Sequence, residues 1–253
     1  MDKQQVLFKD LGIIDYKAAW DYQEDLVKAN VAIKGELRKS NQSELNTQRS
    51  TFDTYSSLIT HHSLLTVHHL LFCEHLPVYT LGKSGSMKNV LLSEQEMDDR
   101  EIEFFKTNRG GDITFHGLQQ VVGYPVLDLE KFYTDIGKYL RDLEEIIILT
   151  IDEYGIKGER SKGETGVWIE PGVKGKERKI CAMGIRCSRW ITMHGFALNV
   201  NTDLSYFENI IPCGIQNKLV TSMEKELGSK VDFEVVKQKL KSNFEKVFNV
   251  QII

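Results

Sequence analysis

The stretch TGVWIEPGVKGKERKICAMGIRC at residues 165–187, with ITMHGFALNV after it at 191–200, decides the fold of this chain. TGVWIE and KICAMGIRC have the apolar, β-branched character of strands, and the glycine- and charge-rich PGVKGKER between them can connect a hairpin. ITMHGFALNV adds another strand. Strands that follow one another in this way predict antiparallel pairing within a sheet.

The flanking sequence adds further strands and several helices. Strands are predicted at 64–72, 77–82, 102–108 and 119–129, and helices at 16–38, 135–154 and 232–248. Because the helices do not alternate strictly with the strands, the predicted fold class is α/β, with an α+β-type mixed sheet flanked by helices. No repeat or linker divides residues 1–253, which predicts a single catalytic domain. The polar stretch near 39–57 is predicted to be an insertion, either a solvated helix extension or a loop.

Composition excludes several classes of function. The 253 residues are 41% hydrophobic and 27% charged, with a formal net charge of −4, which argues against non-specific binding to nucleic acid or a membrane surface. No apolar run approaches the roughly 18 residues of a membrane span, and MDKQQVLFKD does not resemble a signal peptide. These features predict a cytoplasmic protein.

One of the four cysteines stands apart from the others. Cys73, Cys181 and Cys187 have apolar neighbours and are predicted to be reduced core or strand residues. Cys213, in NIIPCGI, lies in a Pro-Cys-Gly turn that exposes a thiol and leaves room for an acyl group. Since a nucleophilic thiolate needs a nearby cation or base, Lys179, His116 and His194 are all candidate partners.

Other motifs have competing interpretations. RGGDITFHG, at 109–117, is either a tight turn or a pocket loop that uses Arg109, Thr114 and His116. TLGKSG lacks the first glycine of a phosphate-binding loop, because Pro77 stands there. His68 and His69 point to opposite faces if they lie on a strand, so no metal site is predicted.

Four motifs in order, RGGDITFHG, KICAMGIR, HGFALNVN and PCGI, make the chain similar to the lipoyl(octanoyl) transferases from about Leu64 to Met223. The resemblance implies the fold of biotin and lipoate protein ligase catalytic domains. It also implies transfer of an octanoyl group from octanoyl-acyl carrier protein to the lysine of lipoyl domains, including those of 2-oxoacid dehydrogenase complexes and the glycine cleavage H protein. The thioester already carries the activation, so no cofactor, nucleotide or metal is expected.

The same resemblance implies roles for particular residues. Cys213 matches the family's nucleophile and Lys179 its activating lysine, with His194 as possible support for the pocket. The residues that match the family's substrate-binding segments are Arg109, Gly110, Gly111, Asp112, Ile113, Thr114, Phe115, His116, Ala182, Met183, Gly184, Gly195, Phe196 and Ala197.

The chain also departs from the family pattern. It reads His116-Gly117-Leu118-Gln119-Gln120 where the family has His-Gly-Pro-Gly-Gln, and Phe115 replaces a tyrosine. The turn's backbone preferences change with these residues. The basic residues of the 170–178 extension, including Arg178, suit either an acidic carrier protein or a solvated face.

Three other functions fit part of the pattern. An ATP-dependent lipoate or biotin ligase would share the fold without needing Cys213. A cysteine hydrolase would pair Cys213 with a histidine base and release free octanoate. A non-catalytic binder of lipoyl domains would need neither Cys213 nor Lys179.

Overall fold

A computed structural model describes residues 3–47, 65–211 and 219–253 of the chain. Within these ranges the strands are β1 (Gln4–Ile13), β2 (His68–Glu74), β3 (Val78–Leu81), β4 (Glu103–Lys106), β5 (Ile113–His116), β6 (Gln120–Val126), β7 (Glu159–Arg160), β8 (Val167–Ile169), β9 (Arg178–Ser188), β10 (Ile191–Asn199), β11 (Leu219–Val220) and β12 (Val250–Ile252). The helices are α1 (Tyr16–Thr47), α2 (Glu94–Asp99), α3 (Ile136–Asp152), α4 (Met223–Leu227) and α5 (Phe233–Phe248).

The large sheet mixes parallel and antiparallel pairs. In the described part of the chain its order is β12-β1-β2-β6-β10-β9-β8-β7, with β11 beside β9. β12, β1 and β2 run parallel, whereas the path from β2 through β6, β10, β9, β8 and β7 is antiparallel. A second sheet, β4-β3-β5, lies apart from it. The predicted hairpin of β8 and β9 and the strand after it are confirmed.

One face of the large sheet is covered by α3 and α5. Asp135 and Asp232 cap the two helices, each accepting a hydrogen bond from a first-turn backbone N–H. Leu143, Ile147 and Ile151 of α3 are fully buried in the main core, as their spacing predicts. Ile136, from the same predicted stripe, is 39% exposed, because it lies in the first turn, before the helix reaches the sheet.

The opposite face carries α1. Ala19 packs with Val122, Tyr124 and Ala197 from the middle of the sheet. Farther along α1, the buried Lys34 Nζ lies 2.7 Å from an Asp128 carboxylate oxygen and donates to the Arg189 carbonyl at 2.9 Å. This face is therefore covered by a helix that also forms an internal ion pair with the sheet side.

Several sequence expectations change here. RGGDITFHG is not a continuous loop, because residues 113–116 form β5. Helix α1 continues to Thr47, so the first part of the 39–57 stretch is a helix extension; residues 48–57 lie outside the described ranges. Among the helices of the described residues, none has the length and apolar character needed to span a membrane.

Candidate active site

A cavity of about 490 Å³ lies beside the large sheet, and both Tyr16 of α1 and Leu140 of α3 line it. One wall comes from residues 109–116, and another from alternating residues of β6 and consecutive residues of β9 and β10. Of the residues that the sequence assigned to the site, the cavity is lined by Arg109, Gly110, Gly111, Asp112, Ile113, Thr114, His116, Lys179, Ala182, Met183, Gly184, His194, Gly195, Phe196 and Ala197. Two motifs more than 60 residues apart thus share one cavity.

The TLGKSG segment holds the first wall in place. Backbone N–H groups of Gly82, Lys83 and Ser84 donate to the carbonyls of Asp112, Arg109 and Gly111 at 3.0–3.1 Å. These bonds use the glycine turn after β3 as a support for the neighbouring loop. They explain the motif without a phosphate ligand.

The same wall approaches β9 very closely at Gly184. The Gly110 N–H donates to the Ile185 carbonyl at 2.9 Å, and a Cβ at Gly184 would stand 2.6 Å from the Gly110 carbonyl oxygen. A contact this short with backbone leaves room only for glycine. Gly184 therefore lets the loop close directly over the sheet.

The polar end of the cavity contains buried histidines that stay neutral. Burial, assisted by the neighbouring Arg109 and Arg186, lowers the pKa of His194 to about 3. Burial also holds the pKa of His116 well below its usual range, assisted by His75 and Arg109. His116 bonds to Gln120 at 2.9 Å through Nδ1, and to Thr80 at 3.3 Å through Nε2. Both nitrogens of the His116 ring are therefore hydrogen-bonded within the protein.

Arg109 lines the cavity, and its guanidinium donates hydrogen bonds to neighbouring parts of the chain. Its guanidinium donates to the Thr80 carbonyl at 2.5 Å, to the Thr80 hydroxyl at 2.9 Å and to the Gly110 carbonyl at 3.0 Å. Only 7% of the residue is exposed. In this arrangement the guanidinium ties the loop to β3, and its charge adds to burial in lowering the pKa of the adjacent His116 and His194.

The cavity also has an apolar end. Leu140 reaches it from α3, and Met183, Ile185 and Phe196 reach it from β9 and β10. Such a surface suits an aliphatic chain, since burying each methylene is favourable by about 0.8 kcal/mol. The cavity can therefore take a ligand that is polar at one end and aliphatic at the other.

Lys179 stands on the wall of this cavity near the start of β9. Its Nζ lies 4.5 Å from the centre of the Trp168 ring. On its other side it pairs with Val220 of β11, which also lines the cavity. The lysine is thus half-buried at a strand start, between two neighbouring strands.

Phe115 is the assigned pocket residue that does not line the cavity. It points to the other side of β5, where its ring stacks on Tyr206 at 4.5 Å in a separate small core. Sequence reasoning assigned no site role to Tyr16, Val122, Tyr124 and Asn199, all of which line the cavity. Because alternate residues of a strand share a face, Val122 and Tyr124 could have been predicted from Gln120 of β6. No local sequence pattern around Tyr16 predicts that it reaches the cavity.

The turn that departs from the family pattern is held by a dense set of hydrogen bonds. Gln119 has φ +60°, a left-handed conformation that favours glycine. Its N–H donates to the Glu74 carboxylate at 2.5 Å, its carbonyl accepts from the Thr202 hydroxyl at 2.9 Å, and Asn201 donates to its side chain at 2.9 Å. These partners hold the conformation that a glycine would adopt freely.

The described cysteines are poor nucleophiles. Cys73 and Cys181 are buried, and burial raises the pKa of both thiols well above the usual value; burial also raises the pKa of the half-buried Cys187. All three lie on strands, as predicted. Cys213 lies outside the described residues. The described chain stops at Ile211, whose N–H donates to Asn89, and resumes at Leu219, paired with Arg178.

The His68–His69 pair forms no metal centre with other described residues. His68 accepts a bond from the Asp128 N–H at 3.2 Å, while His69 is half-exposed. The ranges 3–47, 65–211 and 219–253 contain no group of three or more His, Cys, Asp or Glu residues that could hold an ion.

Comparison with known proteins adds independent findings. The family model for the lipoyl protein ligase A/B catalytic domain matches residues 49–245. An octanoyltransferase of Christiangramia forsetii is 51% identical over 250 residues, covering 98% of each chain. An octanoyltransferase of Flavobacterium johnsoniae is 51% identical over 251 residues, covering 99% of each.

A solved structure shows the same fold at low sequence identity. The bipartite lipoate protein ligase of Thermoplasma acidophilum superposes with a TM-score of 0.62 at 14% identity, covering 100% of this chain and 86% of that one. The lipoate-ligase-like mixed fold predicted from the sequence is confirmed.

Proposed function

The chain belongs to the lipoyl protein ligase A/B catalytic-domain family, and we propose that Cys213 and Lys179 carry its reaction through an S-octanoyl intermediate. The reaction is octanoyl transfer in lipoate biosynthesis, and the chain is an octanoyltransferase. The observation that carries the proposed mechanism is the position of Lys179 on the wall of a cavity with an apolar end.

The first half-reaction forms the intermediate. The Cys213 thiolate attacks the octanoyl thioester carbonyl, and the bond to the carrier's pantetheine sulfur breaks. The departing sulfur takes a proton from the Lys179 ammonium and leaves as a thiol. The octanoyl tail lies along Leu140, Met183 and Phe196, where burial favours it.

The second half-reaction regenerates the enzyme. The substrate lysine of a lipoyl-domain protein gives one proton to the neutral Lys179 amine and attacks the Cys213 thioester. Collapse of the tetrahedral intermediate expels the Cys213 thiolate, and the new amide nitrogen releases its second proton to solvent. Lys179 thus returns to the ammonium form, so one group serves both steps.

Three observations support the assignment of Cys213. The three described cysteines carry thiols whose pKa burial raises, so none forms a thiolate readily. The chain reaches Ile211 bonded to Asn89, whose side chain donates to Asp112 of the cavity wall at 2.6 Å. It returns at Leu219 and Val220, paired with Arg178 and Lys179.

The histidines do not favour the hydrolase alternative. A hydrolase would need a base with a free nitrogen near its usual pKa, whereas His116 is bonded through both nitrogens and its pKa is held low. The Nε2 of His194 is engaged by Asn108 at 2.8 Å. Lys179 is the better proton carrier among the cavity residues.

Mass spectrometry of the intact protein tests the mechanism. After mixing with octanoyl-acyl carrier protein, the wild type is expected to gain one octanoyl group that neutral hydroxylamine removes, and Cys213→Ala to gain none. Cys187→Ala is the matched control and should acylate normally. Normal transfer by Cys213→Ala, or a near-normal acylation rate in Lys179→Ala with the fold intact, would overturn the proposed roles.

We propose octanoyl-acyl carrier protein as the donor, docking beside a second depression. This depression adjoins the cavity at Gly163–Thr165 and is bordered by Arg141, Arg160 and the exposed Lys162. Arg178 of the 170–178 extension is already paired with Glu170 and Glu226. Lys162 is therefore the cation in this region best placed to meet an acidic carrier protein.

Steady-state kinetics separate docking from chemistry. Lys162→Glu should raise KM for the octanoyl carrier severalfold at low salt while kcat changes little, because charge at a rim acts mainly on encounter. Lys246→Glu, on the exposed side of α5, is the control. An equal effect of the two substitutions would refute the docking site. The acceptors we propose are the lipoyl domains of 2-oxoacid dehydrogenases and the glycine cleavage H protein.

A further inference from the structure

The pairing of β8 with β9 is irregular next to Lys179. Val167 lies opposite Cys181 and Trp168 lies opposite Lys179. One step along β8 therefore corresponds to two steps along β9, which leaves Ile180 as the extra residue of a β-bulge. A bulge of this kind re-aims the side chains on one side of it.

The bulge decides which way Lys179 points. In a regular strand, alternate residues share a face, so Lys179 would share the core face with Cys181. Instead, the consecutive residues Ile180 and Cys181 are both fully buried in the main core. Lys179 lies against Trp168, which alternates along β8 with the core residues Val167 and Ile169. The extra residue at Ile180 has moved the lysine from the core face to the face that carries Trp168, where it lines the cavity.

Trp168 lies opposite the re-aimed lysine. Only 2% of Trp168 is exposed, and the centre of its ring is 4.5 Å from Lys179 Nζ. Behind the lysine, Gly166 has φ +110°, and a Cβ there would lie 3.6 Å from Lys179 Cε and 2.5 Å from the Cys181 carbonyl oxygen. The aliphatic part of the Lys179 side chain passes over Gly166, and its Nζ lies over the Trp168 ring.

We propose that Trp168 is a positioning residue whose ring face holds the Lys179 ammonium at the cavity wall in the geometry required for proton transfer. The inference rests on the role proposed above for Lys179. A lysine stem has several rotatable bonds, and the ring restricts it because an indole attracts a cation over its face more strongly than other rings do. Lys179 is half-buried, and partial desolvation strengthens that attraction.

Gly166 in turn is held by α3. Its N–H donates to the buried Glu144 carboxylate at 3.0 Å, which also pairs with Arg141 and Arg160. The residues just before β8 are thereby fixed against the helix. The segment that carries Trp168 is thus held both by α3, through Gly166, and by its pairing with β9.

Matched substitutions test the inference through the single-turnover acylation rate. Trp168→Phe keeps an aromatic face, whereas Trp168→Met keeps apolar bulk without one. We expect acylation to slow about tenfold in Trp168→Met and to stay within about threefold of wild type in Trp168→Phe. Trp190→Met, half-buried in the turn after β9, controls for tryptophan loss. Melting temperatures identify losses due to unfolding.

A double-mutant cycle with Lys179→Ala distinguishes this inference from the proposed function. In a Lys179→Ala background, Trp168→Met should slow acylation no further. The inference is overturned if Trp168→Met slows that background as much as the wild type, or if Trp168→Met and Trp168→Phe lose activity equally. Normal acylation by Lys179→Ala would instead refute the catalytic lysine.

The wild-type protein supplies a measurement that needs no Trp168 variant. With lysine labelled by ¹³C at Cε, the Lys179 signal can be assigned by its loss in Lys179→Arg. The protons on Lys179 Cε should resonate upfield of those of the other lysines, because they lie over the indole ring. A Lys179 signal at the position of solvated lysines would overturn the inference even if Trp168→Met does not fold.

Discussion

Replacing Gly184 with alanine places a methyl group where the 109–116 wall touches β9. That Cβ would stand 2.6 Å from the Gly110 carbonyl oxygen, 3.1 Å from Arg109 Cδ and 3.2 Å from its Nη1. The first neighbour is backbone and cannot rotate away. The wall must therefore move, and the Gly110–Ile185 hydrogen bond of 2.9 Å must lengthen.

The size of the effect follows from the contacts. Forcing a methyl group into a close-packed site costs about 1–3 kcal/mol. For a chain of this length each kcal/mol lowers the melting temperature by about 2–4 °C, so the loss should be about 2–12 °C. Octanoyl transfer should fall by at least about tenfold where the variant is still folded, because displacing cavity groups by a fraction of an ångström is enough to misalign them.

Gly172→Ala is the matched control. Gly172 is exposed in the connection between β8 and β9, and a Cβ there meets nothing within 4 Å. Melting temperature and acylation rate are measured for both variants. If Gly184→Ala matches wild type and Gly172→Ala in both, the wall does not depend on this close approach, and the account of how the cavity closes is wrong.

Three further substitutions or conditions probe the same scaffold. Burial holds the pKa of His75 near 4 and that of His194 near 3, below the unfolded value of about 6.5. The free energy of unfolding should therefore fall as pH drops from 6.5 toward 5, by about 1.4 kcal/mol per pH unit for each histidine. Urea midpoints at pH 7, 6 and 5 should show a smaller fall in His194→Asn than in the wild type. Leu140→Phe fills the apolar end of the cavity and should shift the preference toward shorter acyl groups, by about fourfold for each methylene removed. Competition between hexanoyl and octanoyl carriers measures this preference as a ratio of the two products. A ratio equal to that of the wild type would mean that the tail lies elsewhere. Lys34→Met leaves Asp128 buried without its cation and should lower the free energy of unfolding by about 3–5 kcal/mol. Urea titration measures this loss. A smaller loss in the Lys34→Met, Asp128→Asn double variant would confirm the pairing.

Local patterns predict the helices and central strands well. Helix α5 was expected over 232–248 and runs from Phe233 to Phe248, with Val236, Leu240 and Phe244 buried. The pattern works because one face of the helix meets the core, so burial and periodicity coincide. The β8–β9 hairpin is equally local, since a short connection brings the two strands together.

The features that the sequence did not predict depend on distant partners. β1 was missed because QQVLFKDLGI mixes charged and apolar residues, and only its parallel pairing with β2 and β12 makes it a strand. The bulge at Ile180 is invisible because Ile180 and Cys181 are both apolar, so the break in alternation leaves no trace in hydrophobicity. Leu140 was expected in the core stripe of α3, but it lines the cavity.

The candidate site was predictable to the extent that its motifs are contiguous. Every assigned pocket residue except Phe115 lines one cavity, whereas Tyr16 enters from α1 with no local mark. Its ring lies 5.9 Å from that of His116 and nearly parallel to it. Such a contact joins residues 100 positions apart, which no short pattern can express.

The pairing of β12 with β1 has a consequence for the order of folding. Gln4 pairs with Val250 and Val6 with Ile252, so this edge of the sheet joins segments separated by almost the whole chain. Closing so long a loop is entropically costly, whereas the β9–β10 pair closes over a few residues. During folding, this edge should therefore form after the central strands have paired. During unfolding, it should open before the central strands separate. In native-state hydrogen exchange, the amides of β12 should lose protection through local opening while those of β10 exchange only with global unfolding.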